Sequence, residues 1–135
     1  MNGYITIVNE SYNRSIGNDV IGRFYDIFLK SHPDIAPLFS KTDFDAQKTL
    51  LKHGVLLAIM FVEGISAGDP GIKRIRESHG KTGMNIPPEL YPCWKTSFIQ
   101  ATSESDPEYS EQIRNAWDSV LQETIDYITE GYEAD

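Results

Sequence analysis

Residues 42–66 read TDFDAQKTLLKHGVLLAIMFVEGIS. Turned at about 100° per residue, this stretch gathers Phe44, Leu51, Val55, Ala58 and Val62 on one side. Leu50, Gly54, Leu57 and Phe61 flank them, and Lys48, Thr49 and Lys52 fall opposite. That is the stripe of a half-buried helix. The centre of the apolar face falls close to Gln47. An amide aimed into a core costs stability unless its donors and acceptors find partners. Gln47 therefore either bonds a backbone group near the helix start or serves a ligand. Thr42, with Asp45 three residues on, looks like a variant capping box and predicts the helix start.

The same period recurs on both sides. Val20, Ile21, Phe24, Ile27 and Phe28 form one stripe, Leu90, Trp94, Phe98 and Ala101 a second, and Ile113, Ala116, Trp117, Val120, Leu121, Ile125 and Ile128 a third. Only Tyr4 to Val8 could pass for a strand, and one strand makes no sheet, so it reads as the start of a first helix. Pro33, Pro70 and Pro107, each preceded by Ser or Asp within two residues, read as start signals. The expectation is an all-α chain with helices near 4–16, 18–31, 33–39, 42–66, 70–80, 88–103 and 107–131. Pro92 falls early in the sixth, where it is tolerated or bends the helix.

Composition narrows the class. With 135 residues the chain fits one domain, 1–135, and is long enough for a real core. Apolar residues at 40% and charged residues at 24% suit a globular protein rather than a disordered one. One cysteine, Cys93, excludes an intrachain disulfide and a cysteine-rich zinc module. Neither a membrane span nor a secretory leader is visible, so the cytoplasm is the expected location. The net charge of −8 is concentrated late: from Glu104 to Asp135 there are ten acids and one base, Arg114. Such a surface argues against nucleic acid as partner. It reads as a solvated helix face.

Three histidines are candidate ligands. Ile72, Ile75 and His79 share a helix face, and Lys73, Arg74, Arg76 and Lys81 surround it with positive charge. His79 reads as a core residue, a helix-end cation or a ligand beside an anionic edge. His53 lies near a polar edge, and His32 sits in a loop. Tyr25 lies on the face of Ile21 and Phe28, consistent with a core tyrosine whose hydroxyl reaches the boundary. There is no phosphate-binding glycine loop, nucleophile elbow or zincin helix.

Taken in order, these pieces resemble a bacterial globin, similar to the globin domain of flavohaemoglobins. The run Phe24-Tyr25-Asp26-Ile27-Phe28-Leu29, then His32-Pro33, then Pro37-Leu38-Phe39, resembles that family's second and third helices. Ser78-His79, followed by Ile86-Pro87-Pro88-Glu89-Leu90-Tyr91, resembles the proximal histidine and the next helix, and Ala116-Trp117 the final one. Phe39 to Gln47 is slightly shorter than in flavohaemoglobins, and His79 to Tyr91 slightly longer.

The resemblance implies a globin fold of about seven helices around haem b. His79 would be the axial ligand to iron. Phe39, Leu51, Val55 and Phe98 would line the slot, and Arg76 or Lys81, or Lys73, would pair with the propionates. Gln47 and Tyr25 would offer hydrogen bonds to a diatomic gas: oxygen, nitric oxide or carbon monoxide. In a second register, Lys52-His53-Gly54-Val55 resembles the distal segment of animal globins and puts His53 at the iron. Tyr91 matches a proximal tyrosine that helps polarise the histidine in flavohaemoglobins, with Glu130 or Glu133 as an assisting carboxylate. The implied function is reversible gas binding. Nitric oxide oxidation with a separate reductase and a sensor module are the alternatives. Either a monomer or a homodimer is compatible, and no catalytic residue is assigned.

Overall fold

The computed structural model describes residues 3–64, 69–81 and 83–134. Among these there are six α-helices, two short 3-10 turns and no strand. α1 spans Gly3–Ile16, α2 Val20–Phe28, α3 Phe44–Glu63, α4 Asp69–His79, α5 Tyr91–Ser105 and α6 Glu111–Ala134. The segment from Tyr4 to Val8 is helical, as its surroundings required.

Several boundaries move from their expected places, each for a local reason. Residues 33–39 do not form an α-helix. Pro37, in the middle of that stretch, lacks the donor a further turn needs, so only the 3-10 turn Ala36–Phe39 forms. His32 Nδ1 instead accepts the Asp34 N–H at 3.0 Å. α2 starts at Val20 because Asp19, in left-handed backbone (φ 58°), caps it by accepting from the Gly22 N–H at 3.2 Å. A Cβ at position 22 would stand 2.9 Å from Asp19 Oδ1, so a larger residue there would push the capping carboxylate aside.

α3 is capped by Asp43 rather than Thr42, its carboxylate accepting from the Asp45 and Ala46 N–H groups at 3.0 and 3.3 Å. It closes on Gly64 (φ 85°), a left-handed stop; the expected extension to residue 66 lies outside the described residues. Residues 88–90 form a 3-10 turn, so Pro92 falls in the first turn of α5 and does not bend it. α6 starts at Glu111 and not at 107, because Asp106 is engaged across the molecule.

That engagement ties the chain's two ends together. Asp106, its side chain fully buried, accepts from Arg14 Nε at 2.7 Å, Arg14 Nη2 at 3.0 Å and the Ser11 hydroxyl at 2.7 Å. The Trp117 indole N–H donates to the same Ser11 oxygen at 2.9 Å. Around this network lies the core. Phe24, Phe98 and Trp117 are wholly buried, with Phe98 5.7 Å from Phe24 and 5.1 Å from Trp117 between ring centres. Each such ring contributes about 3 kcal/mol or more by leaving water.

The core has two parts. The larger joins α1, α2, α3, α5 and α6. The smaller consists of Tyr91, Ile125 and Ile128 with Ile75 and Ile86 packed on it. Trp94 touches both.

Candidate functional site

α3 and α4 form the walls of the candidate site. They run antiparallel and touch where small residues permit. A Cβ on Gly71 would press on Leu57 Cδ2 at 2.8 Å, and one on Gly54 would meet Ile75 Cδ1 at 4.0 Å. Continuing along both helices in opposite directions at 1.5 Å per residue brings His79 level with Leu50 and Leu51. Gln47 lies one turn further along α3.

His79 ends α4 and is half-buried. Its Nδ1 lies 2.8 Å from the Ile75 carbonyl oxygen and 3.1 Å from the Ser78 hydroxyl. A carbonyl can only accept, so Nδ1 carries the proton and Nε2 keeps its lone pair. Burial pushes the imidazole pKa down, against a smaller upward pull from the Ile75 carbonyl, and favours the neutral ring. The result is an oriented, neutral nitrogen base at a helix end.

Tyr25 on α2 is buried, with the Gln47 side chain near its hydroxyl. Burial raises the phenol pKa and Gln47 opposes that rise, so the hydroxyl stays protonated at neutral pH. Phe39 and Phe44 stack on each other at 6.1 Å, and both present edges to Tyr25, at 6.1 and 5.6 Å. Leu51, Val55 and Phe98 are buried in the larger core.

The remaining candidates are placed differently. His53 is exposed on α3. Tyr91 is buried in the smaller core, its pKa pushed up to about 12 by that burial. Arg76 turns to α6, with its guanidinium carbon 4.5 Å from the centre of the Tyr127 ring and Nη1 4.0 Å from Glu130. Lys81 Nζ lies 5.2 Å from the Tyr132 ring centre. Three residues beside the site were not singled out as site residues from sequence: Phe44, Trp94 and Ile75. Trp94 stacks on Phe98 at 5.7 Å and links the two parts of the core. Its place on the Leu90–Phe98 stripe was the available signal.

No protein-family model matches the chain. A crystal structure of a Pseudomonas aeruginosa PAO1 protein, described as structurally highly homologous to a human hemoglobin, superposes with a TM-score of 0.92. It is 32% identical and the match covers 96% of this chain and 98% of that one. A flavohemoprotein of Bacillus subtilis (strain 168) is 32% identical over 107 residues, 77% of this chain and 26% of the relative. A flavohemoprotein of Bacillus thuringiensis subsp. konkukian is 28% identical over 103 residues, 75% of this chain and 25% of the relative. The chain spans about a quarter of the length of these curated relatives. The six-helix architecture and near-complete superposition define a globin fold, with six α-helices in place of the expected seven. The chain belongs to the globins, and its relatives are bacterial.

Proposed function

We propose that this globin holds haem b through His79 and reversibly binds a diatomic gas on the opposite face. The observation that carries the reading is the His79 ring: its Nδ1–H is fixed by the Ile75 carbonyl and its Nε2 is left free. An axial ligand needs that arrangement, because the second-shell bond sets both tautomer and orientation. Among the described residues, no three His, Cys, Asp or Glu side chains converge to hold a metal. The apolar side chains of Phe39, Leu51, Val55 and Phe98 suit a macrocycle that would bring the iron's other ligands. Haem, when bound, supplies an iron with one face for His79 and one for the gas. The cations around His79, Lys73 and Lys81 among them, would supply positive charge for the propionate edge. Tyr25 and Gln47 supply the donors for a gas ligand, and His53, at the surface, is assigned no role at the iron.

The test is an absorption spectrum of the ferric, reduced and carbon monoxide forms. An intense Soret band that shifts with carbon monoxide supports the reading, and His79→Ala is expected to abolish it while circular dichroism stays helical. A low-spin, six-coordinate reduced spectrum would return His53 to the iron. Absence of the band after adding haem would sink the reading. Tyr25→Phe and Gln47→Leu are each expected to speed oxygen release roughly tenfold, since such hydrogen bonds contribute about 1–2 kcal/mol. An unchanged dissociation rate would remove both residues from the role.

The flavohemoprotein relatives favour a second reading, nitric oxide oxidation with electrons from a separate reductase. The proximal side weighs against it. The His79 Nδ1–H meets a carbonyl and a hydroxyl, and neither pulls on its proton as a carboxylate would. Glu130, one of the two candidate carboxylates, faces Arg76. Rapid nitrate formation with a supplied reductase, well above that of a simple gas-binding globin, would favour the enzyme.

A further inference from the structure

α4 packs on α3 and α6 but buries few of its own residues completely. Its fully buried residues are Gly71 and Ile72, and Ile75 is only half-buried. Its last turn is held by another device. The Arg76 guanidinium carbon stands over α6, 4.5 Å from the Tyr127 ring centre. Gly131, one turn further along α6, is buried and makes the room: a Cβ there would stand 2.6 Å from Arg76 Nε and 3.0 Å from Cδ. Tyr127 also packs on Phe61 near the end of α3, with ring centres 5.0 Å apart. α3, α4 and α6 thus meet at one tyrosine. The ion pair with exposed Glu130, at 4.0 Å, adds little.

Arg76 and His79 are three residues apart and share a helix face. Holding Arg76 in the notch therefore fixes how far α4 is rotated and how high its last turn stands against α3. We propose that Arg76, seated over Tyr127 in the notch left by Gly131, is a positioning residue that sets the placement of His79 relative to α3. This rests on the assignment of His79 as the haem ligand. It gives Arg76 a role other than pairing with a propionate. A planar guanidinium suits a position over a ring face better than an ammonium does, so arginine rather than charge alone is expected to matter here.

The experiment uses Arg76→Met, which keeps the stem and removes the plane, Tyr127→Leu, and Tyr127→Phe as the conservative control. The first readout is the iron–histidine stretching vibration of the reduced protein by resonance Raman spectroscopy. Rates of haem transfer to an apo-globin acceptor and amide hydrogen exchange across α4 in the haem-free chain complete the set. Arg76→Met and Tyr127→Leu are expected to shift the vibration and to speed haem loss about three- to tenfold. They should raise exchange in α4 without raising it in α1 or α5. Tyr127→Phe, which keeps the ring face, is expected to match the parent. A parent-like vibration and parent-like exchange in Arg76→Met would overturn the inference. So would a rise in exchange spread evenly over all helices, which marks a general loss of stability. If the parent takes up no haem, the ligand assignment fails by itself. The α4 exchange would then still decide whether Arg76 holds the helix.

Discussion

Asp106 shows how one residue can serve two elements that are far apart in sequence. Burial acts to raise its pKa, but the Arg14 and Ser11 hydrogen bonds outweigh that and hold the carboxyl below its ordinary 3.8. A depressed carboxyl contributes stability that is complete above the unfolded value and disappears as pH falls through the lower folded value. Asp106→Ala is expected to cost about 2–4 kcal/mol in denaturant unfolding at neutral pH, because Ser11 and Arg14 lose a buried acceptor. Asp106→Asn should flatten the acid limb of the stability curve below pH 3.8, relative to the parent chain. Equal acid limbs would show that the bond to Arg14 is not what depresses the group. From sequence, Asp106 was visible only as a residue before proline. Its partners lie 92 and 95 positions away, and no local pattern carries such a pairing.

At the level of the helices, side-chain periodicity was a better guide than start signals. The stripes of α2, α3, α5 and α6 pack inward as their spacing required. The starts at Pro33 and Pro107 failed, the first because Pro37 interrupts the segment, the second because Asp106 was already engaged. α6 waits for Ser110, whose hydroxyl accepts the Ile113 N–H at 3.3 Å. The cap of α3 separates two neighbouring residues cleanly. Asp43→Ala is expected to destabilise by about 1 kcal/mol in thermal unfolding, and Thr42→Ala by little. The reverse order would restore the Thr42 cap. Gly64→Ala, at φ 85°, should cost about 1 kcal/mol as well, since only glycine takes that backbone freely.

Across the whole molecule, the division of the core matters most. α1, α2, α3, α5 and α6 carry the larger cluster, and α1 also holds the Asp106 network, whereas α4 rests on a short apolar face and the Arg76 contact. Removing haem is therefore expected to lower the thermal midpoint and to loosen α4 first, because a group bound only by the folded chain adds stability by mass action. Hydrogen exchange that rose equally in α1 and α4 on haem removal would contradict this view.

The sequence alone determined the all-α class and the inward faces of the long helices, because a 3.6-residue period is written in local spacing. It also singled out Gln47 and His79 as polar residues on apolar faces, and the tertiary structure then supplied the partner of His79, the Ile75 carbonyl. Only the tertiary structure decided that His53 is exposed and that Asp106 belongs to Arg14. It also seats Arg76 against Tyr127 instead of leaving it among a row of surface cations. Those outcomes depend on which helix stands beside which, and helix adjacency follows from the summed burial of many side chains rather than from any short stretch of chain.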